Sequence, residues 1–231
     1  ARDTFDHLLR HPTWPTEWAS HLVFMAHADW WQTGDKAWLA ARFDALKSKL
    51  LLDRVGADGL VASKPAQIKQ GDIVDWPAGE RDGFVYTPVN TVVNAFSLRA
   101  LEMMVELATA LGRDSEVADY AQRVRVGRAA LQAQLFDPAS GRYRDGVGTD
   151  HSSLHANLFP LAFGLVPAEH TARLVAWLAG QDMRCSVYAA QYFMEALFRN
   201  GEAGRAVGLM LAAGDRSWRH MVESGTTITW E

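Results

Sequence analysis

The chain has 231 residues, 48% hydrophobic and 22% charged, with a formal net charge of −4, which is ample material for a sizeable core. The acidic balance argues against nucleic-acid partners, and no apolar run approaches the roughly 20 residues of a membrane span. The opening ARDTFDHLLRHP carries no signal-peptide apolar region, so a soluble protein is expected. The single cysteine, Cys185, excludes an intrachain disulfide and a cysteine-based zinc site.

In chain order, apolar residues recur at helical spacing almost throughout. Helix-like sequence begins within the first few residues. Over 18–33, His21, Leu22, Met25, Ala28 and Trp31 share a helical repeat, and Thr33-Gly34-Asp35 closes one helix and caps the next. Trp38, Leu39, Phe43, Leu46, Leu50 and Leu51 predict a helix over 36–54. The pattern returns over 90–111, with Gly112 as the stop, and over 116–135. Further helices are predicted at 152–163, 168–179, 186–199, 202–213 and 216–223, with stops at Gly164, Gly180, Gly201 and Gly214.

Short glycine turns make antiparallel helical hairpins, and the longer polar stretches 55–89 and 136–151 separate them. The hairpins recur irregularly, about every 45–60 residues, without a tetratricopeptide, ankyrin or HEAT consensus. That pattern predicts an all-α chain, either an α-solenoid or, fitting the irregular hairpins better, a closed α/α toroid with binding and catalytic residues in the connecting loops. Neither end carries a terminating signal, so residues 1–231 are expected to be part of a longer chain, incomplete at both ends. The β-prone stretches 59–61 and 226–230 read as rim decoration.

Nine tryptophans are many for this length, and several sit in polar company. An aromatic plane beside carboxylates and amides suits a sugar ring, which has apolar faces and polar edges. The loop 71–94 gathers Asp72, Asp75, Glu80, Arg81 and Asp82 around Trp76, Phe84 and Tyr86, and Asn90 caps the next helix. In 150–157, His151 and His155 stand four apart on one helical face without the glutamate or third ligand of a zinc site. A hydrogen-bonding wall is the expectation there, and no metal. The C-terminal run brings Trp218, then Trp230 and Glu231 behind the turn Gly225-Thr226-Thr227. No nucleophile elbow, phosphate loop or dinucleotide fingerprint appears.

Five ordered motifs, taken together, resemble the catalytic domain of bacterial α-L-rhamnosidases, glycoside hydrolase family 78. They are Pro12-Thr13-Trp14-Pro15-Thr16-Glu17-Trp18, Asp75-Trp76-Pro77 with Glu80-Arg81-Asp82-Gly83, Ser153-Leu154-His155-Ala156-Asn157 with 162–167, Cys185-Ser186-Val187-Tyr188 with Gln191-Tyr192, and Gly225-Thr226-Thr227 with Trp230-Glu231. The resemblance implies an all-α (α/α)6 toroid, with residues 1–231 a single partial catalytic domain, that cleaves terminal α-L-rhamnosyl linkages with inversion and no cofactor, on a rhamnose-containing oligosaccharide or glycoside. It implies Glu231 as general base, with Trp18 and Trp76 flanking the sugar. Asp75, Glu80 and Asp82 would line the site, with Asp72, Arg81, Asn90, His151, His155, Asn157, Tyr188, Gln191, Trp218 and Trp230 as further substrate-binding residues. The family's general acid is expected outside these residues, as are its flanking β-sandwich domains. An inverting glycosidase needs two carboxyl groups, so this chain alone is expected to be inactive. The alternatives are another α/α-toroid glycosidase, glucoamylase-like or an unsaturated uronyl hydrolase, and a non-catalytic sugar-binding scaffold.

Overall fold

The computed structural model describes every residue except Gly71, Ile73 and Glu231. The chain is built of helices, with one two-stranded pairing among the described residues, and it divides into two compact units.

The first unit comprises residues 1–72 and 86–135. It holds α1 (Arg2–Arg10), α2 (Trp18–Thr33), α3 (Lys36–Leu46), α4 (Pro65–Gln70), α5 (Thr91–Ala110) and α6 (Asp114–Leu135). The turns form as the sequence reading requires. Gly34 takes a left-handed φ of 66°, Asp35 accepts from the Trp38 amide at 3.0 Å, and Asn90 caps α5 by accepting from the Val93 amide at 2.9 Å. α5 is apolar nearly all round and forms the centre, its Leu101, Met104 and Leu107 packing with Leu22, Val23, Leu39, Phe43 and Leu46 of α2 and α3. α6 pairs with α5 closely enough that a Cβ on Gly127 would come within 2.6 Å of Leu98.

Two expectations change here. The helix predicted over 36–54 stops at Leu46 and continues as two 3-10 turns, because Leu51 sits at a left-handed φ of 53° that no helix tolerates. The loop 55–89 also contains α4, and its stretch 59–61 supplies only an isolated bridge from Val61 to Val55.

His21, on α2, is ringed by Phe96, Phe24 and Trp18 with centroids 5.1–6.3 Å away. Burial pushes its pKa down to about 4, whereas an unfolded histidine titrates near 6.5. Between those values the unfolded chain binds more protons, so His21's contribution is complete above about pH 6.5 and is lost as the pH falls toward 4. The full effect is at most about 3 kcal/mol. Urea unfolding from pH 4 to 7 should show a shallower pH slope for His21→Leu than for wild type; parallel slopes would show that His21 carries none of the dependence.

The second unit comprises residues 73–85 and 136–231. A short hairpin pairs β1 (Phe136–Asp137) with β2 (Arg142–Tyr143), placing Phe136 opposite Tyr143. Then follow α7 (Leu154–Ala162), α8 (Ala168–Ala179), α9 (Val187–Arg199), α10 (Ala203–Met210) and α11 (Trp218–Glu223). Every residue of α7 is buried, and it packs against α8 and α9. Ser153, Ser186 and Ser217 cap α7, α9 and α11, each hydroxyl accepting a first-turn amide. The predicted helices 202–213 and 216–223 are shorter than expected, since residues 211–217 form the connection between α10 and α11. Among the described residues, no helix is long and apolar enough to cross a membrane.

Candidate functional site

Residues 74–85 form a loop held to the rest of the second unit by three carboxylates. The first is Asp75, fully buried. One of its oxygens accepts from His155 Nε2 and from the Ser186 amide, both at 2.8 Å. The other accepts from the Trp76 amide at 2.9 Å and from the Ser186 hydroxyl. Its carbonyl receives Arg81 Nε at 2.7 Å. The second is Asp82, which accepts from the Leu154 amide and from Arg184, both at 2.7 Å. The third is the buried Asp145, which takes the Val85 amide at 2.8 Å, His151 Nδ1 at 2.6 Å and the Ser153 amide at 2.9 Å.

Beside this loop lies a cavity of about 210 Å³. Glu80 reaches it from the loop, ion-paired with Arg216, whose Nε also donates to the Met183 carbonyl at 2.6 Å. Trp218 and Trp230 supply aromatic wall, and Asp215, Ser186 and Ser217 supply polar groups. The segment 183–190 adds Met183, Cys185, Val187 and Ala190, and α11 adds Met221. Burial first, then the charges of Asp75 and Asp82, push the Cys185 thiol far above its ordinary pKa. It therefore stays protonated and serves as apolar wall. The cavity thus has a charged side, two indoles and a sulfur-and-methyl side.

The structure brings Glu80, Trp218 and Trp230 of the expected set together around this cavity. Asp75 and His155 meet behind it, with no accessible surface. Trp76 is half-exposed, with the Arg81 guanidinium 5.7 Å from its ring centre. His151 is partly exposed and oriented by Asp145. Asn157 is buried, accepting from the Tyr143 amide at 2.8 Å and donating to the Ser153 carbonyl at 2.8 Å, so it fastens β2 to α7. Tyr188 and Gln191 lie on α9, Tyr188 with its ring 5.9 Å from that of Tyr192. In the first unit, Asp72 is buried and accepts from the Thr16 amide and hydroxyl at 3.0 and 2.8 Å and from Ser63. Asn90 is the buried cap of α5, and Trp18 stacks on Trp14 with centroids 6.5 Å apart. Glu231 lies outside the described residues; its neighbour Trp230 donates from Nε1 to Thr226 at 2.7 Å.

Of the other lining residues, Cys185 and Ser186 stood in a resemblance motif and Arg216, Ser217 and Met221 in the C-terminal run without an assigned role, while Asp215 and Met183 were not expected at the site. Ser186 was legible as a helix cap ahead of Val187, and Arg216 stood two residues from Trp218, but nothing local marked either as facing a cavity.

The sequence matches the family model described as the bacterial alpha-L-rhamnosidase 6 hairpin glycosidase domain over residues 8–231. No curated protein matches it. Among solved structures, the chain is similar to the GH78 family rhamnosidase of Bacillus sp. GL1, with TM-score 0.79 and 20% identity, over 94% of this chain and 23% of that one. It is also similar to a rhamnosidase from Klebsiella oxytoca with rhamnose bound, with TM-score 0.78 and 18% identity, over 95% and 41%. A third is the alpha-L-rhamnosidase from Dictyoglumus thermophilum, with TM-score 0.69 and 18% identity, over 92% and 24%. These likenesses show the all-α hairpin fold. The chain spans less than half the length of each of these three proteins.

Proposed function

Because the chain belongs to the bacterial alpha-L-rhamnosidase six-hairpin glycosidase domain family, we propose that it hydrolyses terminal α-L-rhamnosyl linkages with inversion, by base-activated attack of water. The observation that carries this reading is the cavity where Glu80, Arg216, Trp218 and Trp230 face the wall from 183–190. A 6-deoxy sugar has hydroxyls for the charged side, apolar ring faces for the indoles and a methyl group for the sulfur-and-methyl side. A structure carrying that name with rhamnose bound is among those of the same fold.

Inverting hydrolysis needs a carboxylate that activates water and a carboxylic acid that protonates the leaving oxygen, about 6.5–9.5 Å apart. In this reading Glu231 is the base. The family resemblance at Gly225-Thr226-Thr227 with Trp230-Glu231 supports that role, and Trp230 lines the cavity. Glu80 is the acid, being the more enclosed of the two cavity carboxyl groups, since Asp215 is exposed. The expectation from the family motif puts the acid outside this chain; Glu80 offers one inside it. Proton delivery from Glu80 requires Arg216 to withdraw from it, as an entering glycosidic oxygen would demand.

Trp76 tests the sugar face of the loop. Half-exposed, with the Arg81 guanidinium beside its ring, it contributes little to folding, so Trp76→Ala should leave the melting temperature within a few degrees of wild type. A lost ring face of about 1 kcal/mol weakens rhamnose binding by about fivefold. Calorimetric titration with rhamnose reads the change; unaltered affinity would remove Trp76 from the binding surface.

The proposal as a whole is tested by incubating the protein with an aryl α-L-rhamnoside and with the corresponding α-L-mannoside, which carries a C6 hydroxyl. Rhamnoside cleavage with strong preference over the mannoside supports it. Binding of rhamnose without turnover would support the sugar-binding scaffold instead.

A further inference from the structure

The buried polar cluster behind the cavity is used by no step of the reaction, yet its carboxylate is hydrogen-bonded on both oxygens. Asp75 receives four hydrogen bonds from three separate places: His155 on α7, the amide and hydroxyl of Ser186 at the start of α9, and the Trp76 amide of its own loop. Both Asp75 and His155 have no accessible surface, so neither touches a ligand in the cavity. Ser186 does both jobs: it bonds Asp75 and lines the cavity. The loop so tied is not relaxed. Val74 and Asp82 take φ values of 49°, and for a β-branched valine that is an outlier. Such backbone persists only where surrounding contacts over-determine it.

We infer that His155, Asp75 and Ser186 act together as positioning residues. They fix the loop carrying Glu80 against the N-terminal end of α9, and so set the distance between the cavity's carboxylate and its opposite wall. His155 is the informative member. It donates one hydrogen bond through Nε2, while its Nδ1 is buried with no partner among the described residues. A buried nitrogen without a partner is a cost that a pure packing residue such as phenylalanine would avoid. What histidine supplies in return is the N–H that Asp75 accepts. Asp82 and Asp145 pin the far end of the loop, so losing His155 loosens one anchor and leaves two.

The inference rests on the proposed reaction for its consequence but not for its geometry, and two measurements separate them. His155→Phe keeps a ring in the buried site and deletes the donor; His155→Gln loses the ring and keeps an amide N–H able to reach Asp75. Hydrogen–deuterium exchange of the peptides covering 74–85 and 185–188 should accelerate roughly tenfold or more in His155→Phe. It should return to within about threefold of wild type in His155→Gln. On an aryl α-L-rhamnoside, kcat per folded molecule should fall about tenfold or more in His155→Phe with KM within about threefold, and recover in His155→Gln. Unchanged exchange in His155→Phe overturns the inference. So does faster exchange with kcat unchanged, because the cluster would then be structural alone. A wild-type protein that leaves rhamnosides intact overturns the proposed reaction, and the exchange comparison still decides whether the cluster holds the loop.

Discussion

Replacing Glu231 with glutamine should lower kcat on an aryl α-L-rhamnoside by about 10²–10⁴-fold while leaving substrate binding nearly unchanged. Glutamine keeps the size of the side chain and removes the proton acceptor, so only the step in which water is deprotonated is affected. Its neighbour in the sequence, Trp230, forms part of the cavity wall. Azide should restore turnover of an activated rhamnoside by Glu231→Gln, since a small anion can take the place of the water and needs no base. A variant that retains near wild-type kcat would show that Glu231 is not the base.

The second large effect separates the acid from the base. Glu80→Gln should slow a rhamnoside with a sugar or alkyl leaving group by about 10²–10⁴-fold, and a 2,4-dinitrophenyl rhamnoside by less than about tenfold, because that leaving group departs without a proton. Glu231→Gln should slow both substrates alike, as every substrate needs the water. The paired comparison also controls for disturbance of Arg216, which bonds the Met183 carbonyl as well as Glu80. If Glu80→Gln slows both leaving groups equally, Glu80 orders the cavity through Arg216 and the acid lies elsewhere, as the family motif led us to expect.

The helices were legible because their signal is local. Gly34, Asp35, Asn90 and Gly112 mark ends that the backbone confirms, and the 3.6-residue repeat of α5 and α6 is long enough to be unambiguous. Periodicity failed at Leu51, where one left-handed residue interrupts an unbroken apolar pattern, and at α4, six residues too short to show a repeat. The cavity was legible in part. Glu80, Trp218 and Trp230 stand in polar, aromatic loops, which is a local signal. Arg216 meets Glu80 across 136 positions, and Ser186 meets Asp75 across 111, and no spacing rule reaches that far. Burial was equally hidden: in the sequence Asp72, Asp75 and His155 look like loop and helix-start polar residues open to a ligand, whereas the fold encloses all three.

The central claim is that this cavity directs water onto the anomeric carbon from the face opposite the leaving group. Proton NMR of the first minutes of hydrolysis of an aryl α-L-rhamnoside reads this directly, before the sugar product mutarotates. The account predicts that the β-anomer of L-rhamnose accumulates first and the α-anomer grows in only with mutarotation; α-L-rhamnose as the first product, or no rhamnose released at all, would contradict it.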